Sequence, residues 1–156
     1  MSVDVVLAGA VEEILDEAYG ELHPSVHPHY VALGEALTRR CLAELFMLVV
    51  QGVAAREAVH MVQHAERIAA ERFHAGFELA EVQASFNALE QAMWRRLASA
   101  EDPAQLVASV GVLSAVLGAG KDALARSWVS LASARHVRHL DVGALYEGTE
   151  RAANAP

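Results

Sequence analysis

Eighteen consecutive residues, Pro103 to Gly120, carry no charged side chain. Such a run forms either a membrane span or a helix covered by its neighbours. It contains Pro103, Gln105, Ser109, Ser114 and three glycines, and no Lys or Arg cluster flanks it. It also lies at the lower edge of spanning length, so the expectation is a core helix and no membrane. Asp102 is placed to cap that helix and Pro103 to open it. The apolar pattern continues to about Arg135, a helix of roughly 50 Å. Leu106, Val110, Leu113, Leu117 and Leu124 keep a near-heptad seam, with Trp128 and Leu131 after a one-residue slip.

Apolar residues three and four apart mark four further helices. The first spans about Val3 to Gly20, with Val3, Leu7, Val11, Ile14 and Ala18 on one stripe. The second spans about Tyr30 to Gly52, on Leu33, Leu37, Cys41, Leu45 and Leu48 or Val49. The third spans about Ala54 to Ala75, on Ala58, Val62, Ala65, Ala69 and Phe73, and Gly76 closes it. The fourth spans about Glu78 to Ala98, on Leu79, Val82, Phe86, Leu89, Met93 and Leu97. Between the first two lies His23-Pro24-Ser25-Val26-His27-Pro28-His29, where two prolines oppose a regular helix. The role of this stretch stays open. Ala, Val and Leu dominate a composition that is 54% hydrophobic and only 6% aromatic, which suits helices and not sheets. The expectation is an all-α bundle of about five helices with a long C-terminal helix. One domain covers residues 1–135, followed by a polar C-terminal tail, 136–156.

A net charge of −8 with a single Lys gives no electrostatic footprint for nucleic acid. One cysteine, Cys41, excludes an internal disulfide and a cysteine-built zinc site. Met1 to Gly9 hold Asp4 and no Lys or Arg, so no signal peptide is read and the expected location is cytoplasmic. Eight histidines invite a metal or haem reading. His60 and His64 stand four apart, the spacing that places two imidazoles beside one ion. With Arg67, Glu71 and His74 they fall within about 80° of arc, opposite the apolar stripe, which describes a solvated face. A third ligand, Glu57 or a residue of the His23–His29 stretch, would have to come from elsewhere, so no metal and no cofactor is expected. No nucleophile, base and acid can be joined by local spacing, and Cys41 lies on an apolar stripe, so no enzyme is expected and no catalytic residue is named.

Interaction is better supported. Gly111, Ser114, Ala115, Gly118 and Gly120 let two helix backbones approach closely, which points to a homodimer along the Leu106–Leu124 seam. Phe86, Trp94 and Trp128 are the candidate lining of a ligand cavity. The run Arg72-Phe73-His74-Ala75-Gly76-Phe77-Glu78-Leu79-Ala80-Glu81-Val82, with Phe86, Leu89 and Trp94 after it, resembles the N-terminal domain of RsbR-type stressosome proteins, co-antagonists of the RsbT kinase. The resemblance implies a globin-like helical fold without haem, dimeric, used as a sensory or scaffolding module with a signalling protein as partner. The reading is a non-enzymatic sensor or adaptor acting through protein contacts in stress signalling. The alternative is a haem- or metal-binding sensor that uses His60, His64 or His74.

Overall fold

A computed structural model describes residues 1–22 and 26–138, Arg138 by its backbone alone. His23, Pro24, Ser25 and the tail from 139 onward lie outside the described residues, and with them that part of the His-Pro stretch and nearly all of the expected tail. Seven helices are described: α1 (Val3–Ala8), α2 (Val11–Gly20), α3 (Pro28–Leu33), α4 (Glu35–Ala55), α5 (Val59–His74), α6 (Leu79–Ala100) and α7 (Pro103–Arg138). No strand occurs among the described residues, so the chain is all-α as expected.

Seven helices stand where the spacing suggested five, because two expected helices break. The first breaks at Gly9 and Ala10, whose N–H groups bond back to Val5 and Leu7 in separate closing turns. The second breaks at Gly34, at φ 91°, a conformation that costs glycine little. Pro28 opens α3 at its first turn, where a missing N–H is harmless. The break at Gly34 also turns α4. Leu37, expected on the stripe, is exposed, while Thr38, Leu42, Leu45, Phe46, Val49 and Val53 face the core. On α5 the buried face is Met61, His64, Ala65, Ile68 and Ala69, rotated slightly from the expected stripe.

The α5–α6 corner follows the sequence closely. Gly76 takes φ 84°, its N–H bonds Phe73 O at 3.1 Å, and the Phe77 N–H bonds Arg72 O at 3.0 Å. This is a Schellman closure, in which the left-handed residue satisfies carbonyls left over at the helix end. The N–H of Glu78 then donates to Glu81 Oε2 at 3.1 Å, fastening the start of α6.

Val82, Phe86, Leu89, Met93 and Leu97 of α6 are all fully buried, as their spacing requires. Helix α6 packs against α1 and α2 on one side and α7 on the other. Arg95 pairs with Glu17 and lies 3.7 Å from Glu21, so ion pairs edge the α2–α6 contact. Helix α7 packs most extensively on α5. Phe73 meets Trp128 edge-on at 5.4 Å, and Gly120 lies against Met61 and Phe86, which sets α5 parallel to α7. Lys121 Nζ donates to Asn87 Oδ1 at 3.3 Å, while Ser114, seven residues earlier on α7, bonds Glu90, three residues later on α6, at 3.2 Å, so α6 runs antiparallel to α7.

Candidate functional site

Asp102 caps α7 as its sequence predicts, accepting from the N–H groups of Ala104 and Gln105 at 3.0 and 3.1 Å. The helix is not buried on all sides, which corrects the expectation from its uncharged run. Only 28% of its most apolar window is covered, and by length and composition it is also long enough to cross a membrane. Leu113, Leu117 and Leu124, three residues of the expected dimer seam, are fully buried in the chain's own core, and Leu106 packs partly against it. Val110 is half-buried. The near-heptad seam therefore packs inward, onto α5 and α6.

The opposite side of α7 is open. Ala104, Val107, Ala108, Gly111 and Ala115 are exposed, Val107 to 76%, and they fall within about 100° of helical arc. Ala108, Gly111, Val112 and Ala115 border a shallow depression of about 350 Å³ whose far wall is Arg56, Glu57 and Ala58. Of the small residues named from the sequence, Gly111 and Ala115 lie on this uncharged strip, which has no partner helix among the described residues. Gly120 instead is buried against Met61 and Phe86, and Ser114 bonds Glu90 of α6.

Phe86, Trp94 and Trp128 are not brought round one cavity. Phe86 is in the core. Trp94 is 46% exposed beside Glu90, Arg95 and Ser114. Trp128 is half-buried on Phe73. An open groove of about 440 Å³ does lie between α6 and α7 at Trp94, but Phe86 and Trp128 do not line it. Gly120 instead lets Phe86 and Met61 pack closely on the α7 backbone.

The histidines divide. His60 and His74 are exposed, as a polar face requires, but His64 is buried, and its Nδ1 accepts a bond from Arg67 Nη2 at 2.9 Å. Burial, and next the Arg67 guanidinium, hold the His64 imidazole below its ordinary range, so the ring is neutral with its proton on Nε2. His60 and His64 share an open groove of about 750 Å³ between α4 and α5, floored by Ala43, Met47 and Leu48. No three His, Cys, Asp or Glu groups converge to hold a metal ion among the described residues.

Beneath that groove lies a site the sequence reading did not assemble. Tyr30, Cys41, His64, Arg72 and Ser85 line a cavity of about 40 Å³ reached from α3, α4, α5 and α6. Tyr30 Oη donates to Ser85 Oγ at 3.3 Å, and Ser85 donates to Val82 O at 2.7 Å. Arg72 Nη2 donates to Cys41 Sγ at 3.0 Å, and its guanidinium lies 5.5 Å from the Phe77 ring. Burial raises the Tyr30 hydroxyl and the Cys41 thiol above their ordinary ranges, so both stay neutral despite the cation. Arg72 appeared in the sequence only as the start of the Gly76 corner. No local spacing joins residues 30, 41, 72 and 85, so only the fold reveals the cluster.

The chain matches no curated protein and no solved structure. A family profile does match, from residue 5 to residue 142, and so includes the Gly76 corner, the capped α6 and the whole described length of α7. By that match the chain belongs to the family of the RsbT co-antagonist protein rsbRD N-terminal domain.

Proposed function

We propose that this RsbR-type stress-signalling module is a cytoplasmic, non-enzymatic, globin-like sensor or adaptor that works as a homodimer and passes its signal to a protein partner. One observation carries the reading: the uncharged strip of Ala104, Val107, Ala108, Gly111 and Ala115 on a helix longer than any neighbour it packs on. An apolar helix face of this kind is stabilised by burial against a second surface, and a copy of the same face meets the requirement of a two-fold interface. The dimer face is therefore the outward strip of α7 and not the inward leucines.

Light scattering after size exclusion, with an absorbance spectrum in line, tests this. A colourless species of twice the chain mass is expected. Ala115→Glu places a charge at the C-terminal end of the strip without touching the core, and is expected to give the monomer mass with unchanged helix content. A monomeric parent chain overturns the dimer, and a Soret band replaces the reading by a haem sensor on His60, His64 or His74.

A further inference from the structure

Arg72 is a cation held inside the protein without a carboxylate in hydrogen-bond reach. Its side chain is 16% exposed, and its nearest acid, Glu71, lies at 3.8 Å. Glu71 is itself half-exposed and engages Arg67 at 3.0 Å with its other oxygen. The other acid at the cavity, Glu44, is half-exposed and lies 3.8 Å from Arg40. The direct partner of Arg72 is the neutral thiol of Cys41, and its buried Nε has no partner among the described residues. Burying a charge is costly unless it is paired, and a donor left over adds to that cost.

The space beside this group has a definite size. A volume of about 40 Å³ takes about three water-sized probes, or one compact ion with little room to spare. Drug-sized organic ligands occupy about 300 Å³ or more, so they are excluded. The lining holds two arginines, Arg67 and Arg72, and two glutamates, Glu44 and Glu71. Glu71 is taken up by Arg67 at 3.0 Å and Glu44 is half-exposed. The groups left to favour a negative occupant are the Arg72 N–H groups and the Nε2 proton of neutral His64. Cys41 and Tyr30 are uncharged hydrogen-bonding groups.

We propose that this cavity is a binding site for a compact monovalent anion, a halide or an ion of nitrate size, with Arg72 as its counter-charge. The ion enters from the α4–α5 groove, because Glu44, His64 and Arg67 line both the groove and the cavity. The His64–Arg67 hydrogen bond stands on that shared wall and must open for exchange. Charge-assisted bonds to a guanidinium are among the stronger hydrogen bonds, so occupancy should stabilise the fold.

Thermal unfolding of the purified chain, titrated with sodium bromide or sodium nitrate against sodium gluconate at equal ionic strength, tests the site. Bromide and nitrate are expected to raise the midpoint saturably, and gluconate is not. Arg72→Lys, which keeps the charge and removes Nε, is expected to weaken apparent affinity at least tenfold. Arg126→Gln, at an exposed position of α7 that lines neither the groove nor the cavity, is expected to leave it unchanged. If Arg72→Lys does not fold, anomalous scattering from a bromide-soaked crystal of the unaltered chain decides: a peak beside Arg72 supports the site. An equal response to bromide and gluconate, or a cavity that holds water only, overturns it. Anion binding stands apart from the dimer reading, since mass in solution tests one and ion-specific stabilisation the other.

Discussion

Glu81 shows what one buried carboxylate does in this fold. It is 4% exposed; Oε1 accepts from the His29 N–H at 3.1 Å, and Oε2 lies 2.6 Å from His29 Nδ1. With the Glu78 N–H also on Oε2, the group ties the start of α3 to the start of α6. The His29 ring packs 4.9 Å from Phe77, so the Gly76 corner is held from the same side. Burial alone would raise this carboxyl, but the N–H groups of Glu78 and His29 and the His29 ring outweigh it and hold it below the usual range. A carboxyl lowered in the folded state contributes stability that is complete above the ordinary carboxylate value and lost as pH falls through the lower folded value. Glu81→Gln is therefore expected to cost about 1.5–3 kcal/mol at pH 7, the range for hydrogen bonds to a charged group. Urea unfolding at pH 7 and at pH 3 checks this: the two proteins should converge in acid, whereas a constant gap would exclude the carboxylate as the cause. None of this was legible in the sequence. His29 stood in a stretch of open role, and 52 residues separate it from Glu81, a pairing only the fold-back of α3 creates.

Among the elements, legibility followed punctuation more than periodicity. Asp102-Pro103 and Gly76 mark true boundaries, because a cap and a left-handed closure are chemical requirements of helix ends. Gly9 and Gly34 lie inside patterns that read as continuous, and the chain breaks there to bring α1 and α3 onto α4. The stripe of α6 was right since one side of it is polar. That of α7 was legible only in part, because a helix apolar on most sides does not say which side is inward. Gly120 holds the inward contact close: a Cβ there would lie 2.8 Å from Met61 Cγ and 3.1 Å from Phe86 Cε1. Overpacking of this kind typically costs about 1–3 kcal/mol, so Gly120→Ala is expected to lower stability by that amount despite alanine's better helix propensity. Shortening the neighbour should give back part of the loss, and Gly120→Ala with Met61→Ala is expected to be less unstable than the sum of the two single changes. Chemical denaturation of all four proteins measures the coupling.

At the scale of the whole molecule, the family and the all-α class were legible, and so was the presence of small residues on α7; which leucines face inward, and the cluster around Arg72, were not. The charge of −8 on each copy makes a prediction about assembly that the strip alone does not. Residues 103–120 carry no charge, so the attraction between two α7 strips is apolar and barely sensitive to salt. The long-range term between two acidic copies is repulsive, and salt screens it within about 10 Å at 0.1 M. Association should therefore tighten from low to moderate salt, the reverse of an interface built on ion pairs. Because a dimer unfolds to two chains, its midpoint also depends on concentration. A tenfold rise in protein adds about 1.4 kcal/mol to a dimer, which for two chains of this length is about 2 °C in the midpoint. The parent chain is expected to show that slope, to show it from a lower concentration as sodium chloride is raised, and to lose it in Ala115→Glu. Sodium gluconate should act on association as sodium chloride does, which separates screening between copies from any ion held at Arg72. A midpoint independent of concentration in every salt would return α7 to the role of a core helix with one face in solvent.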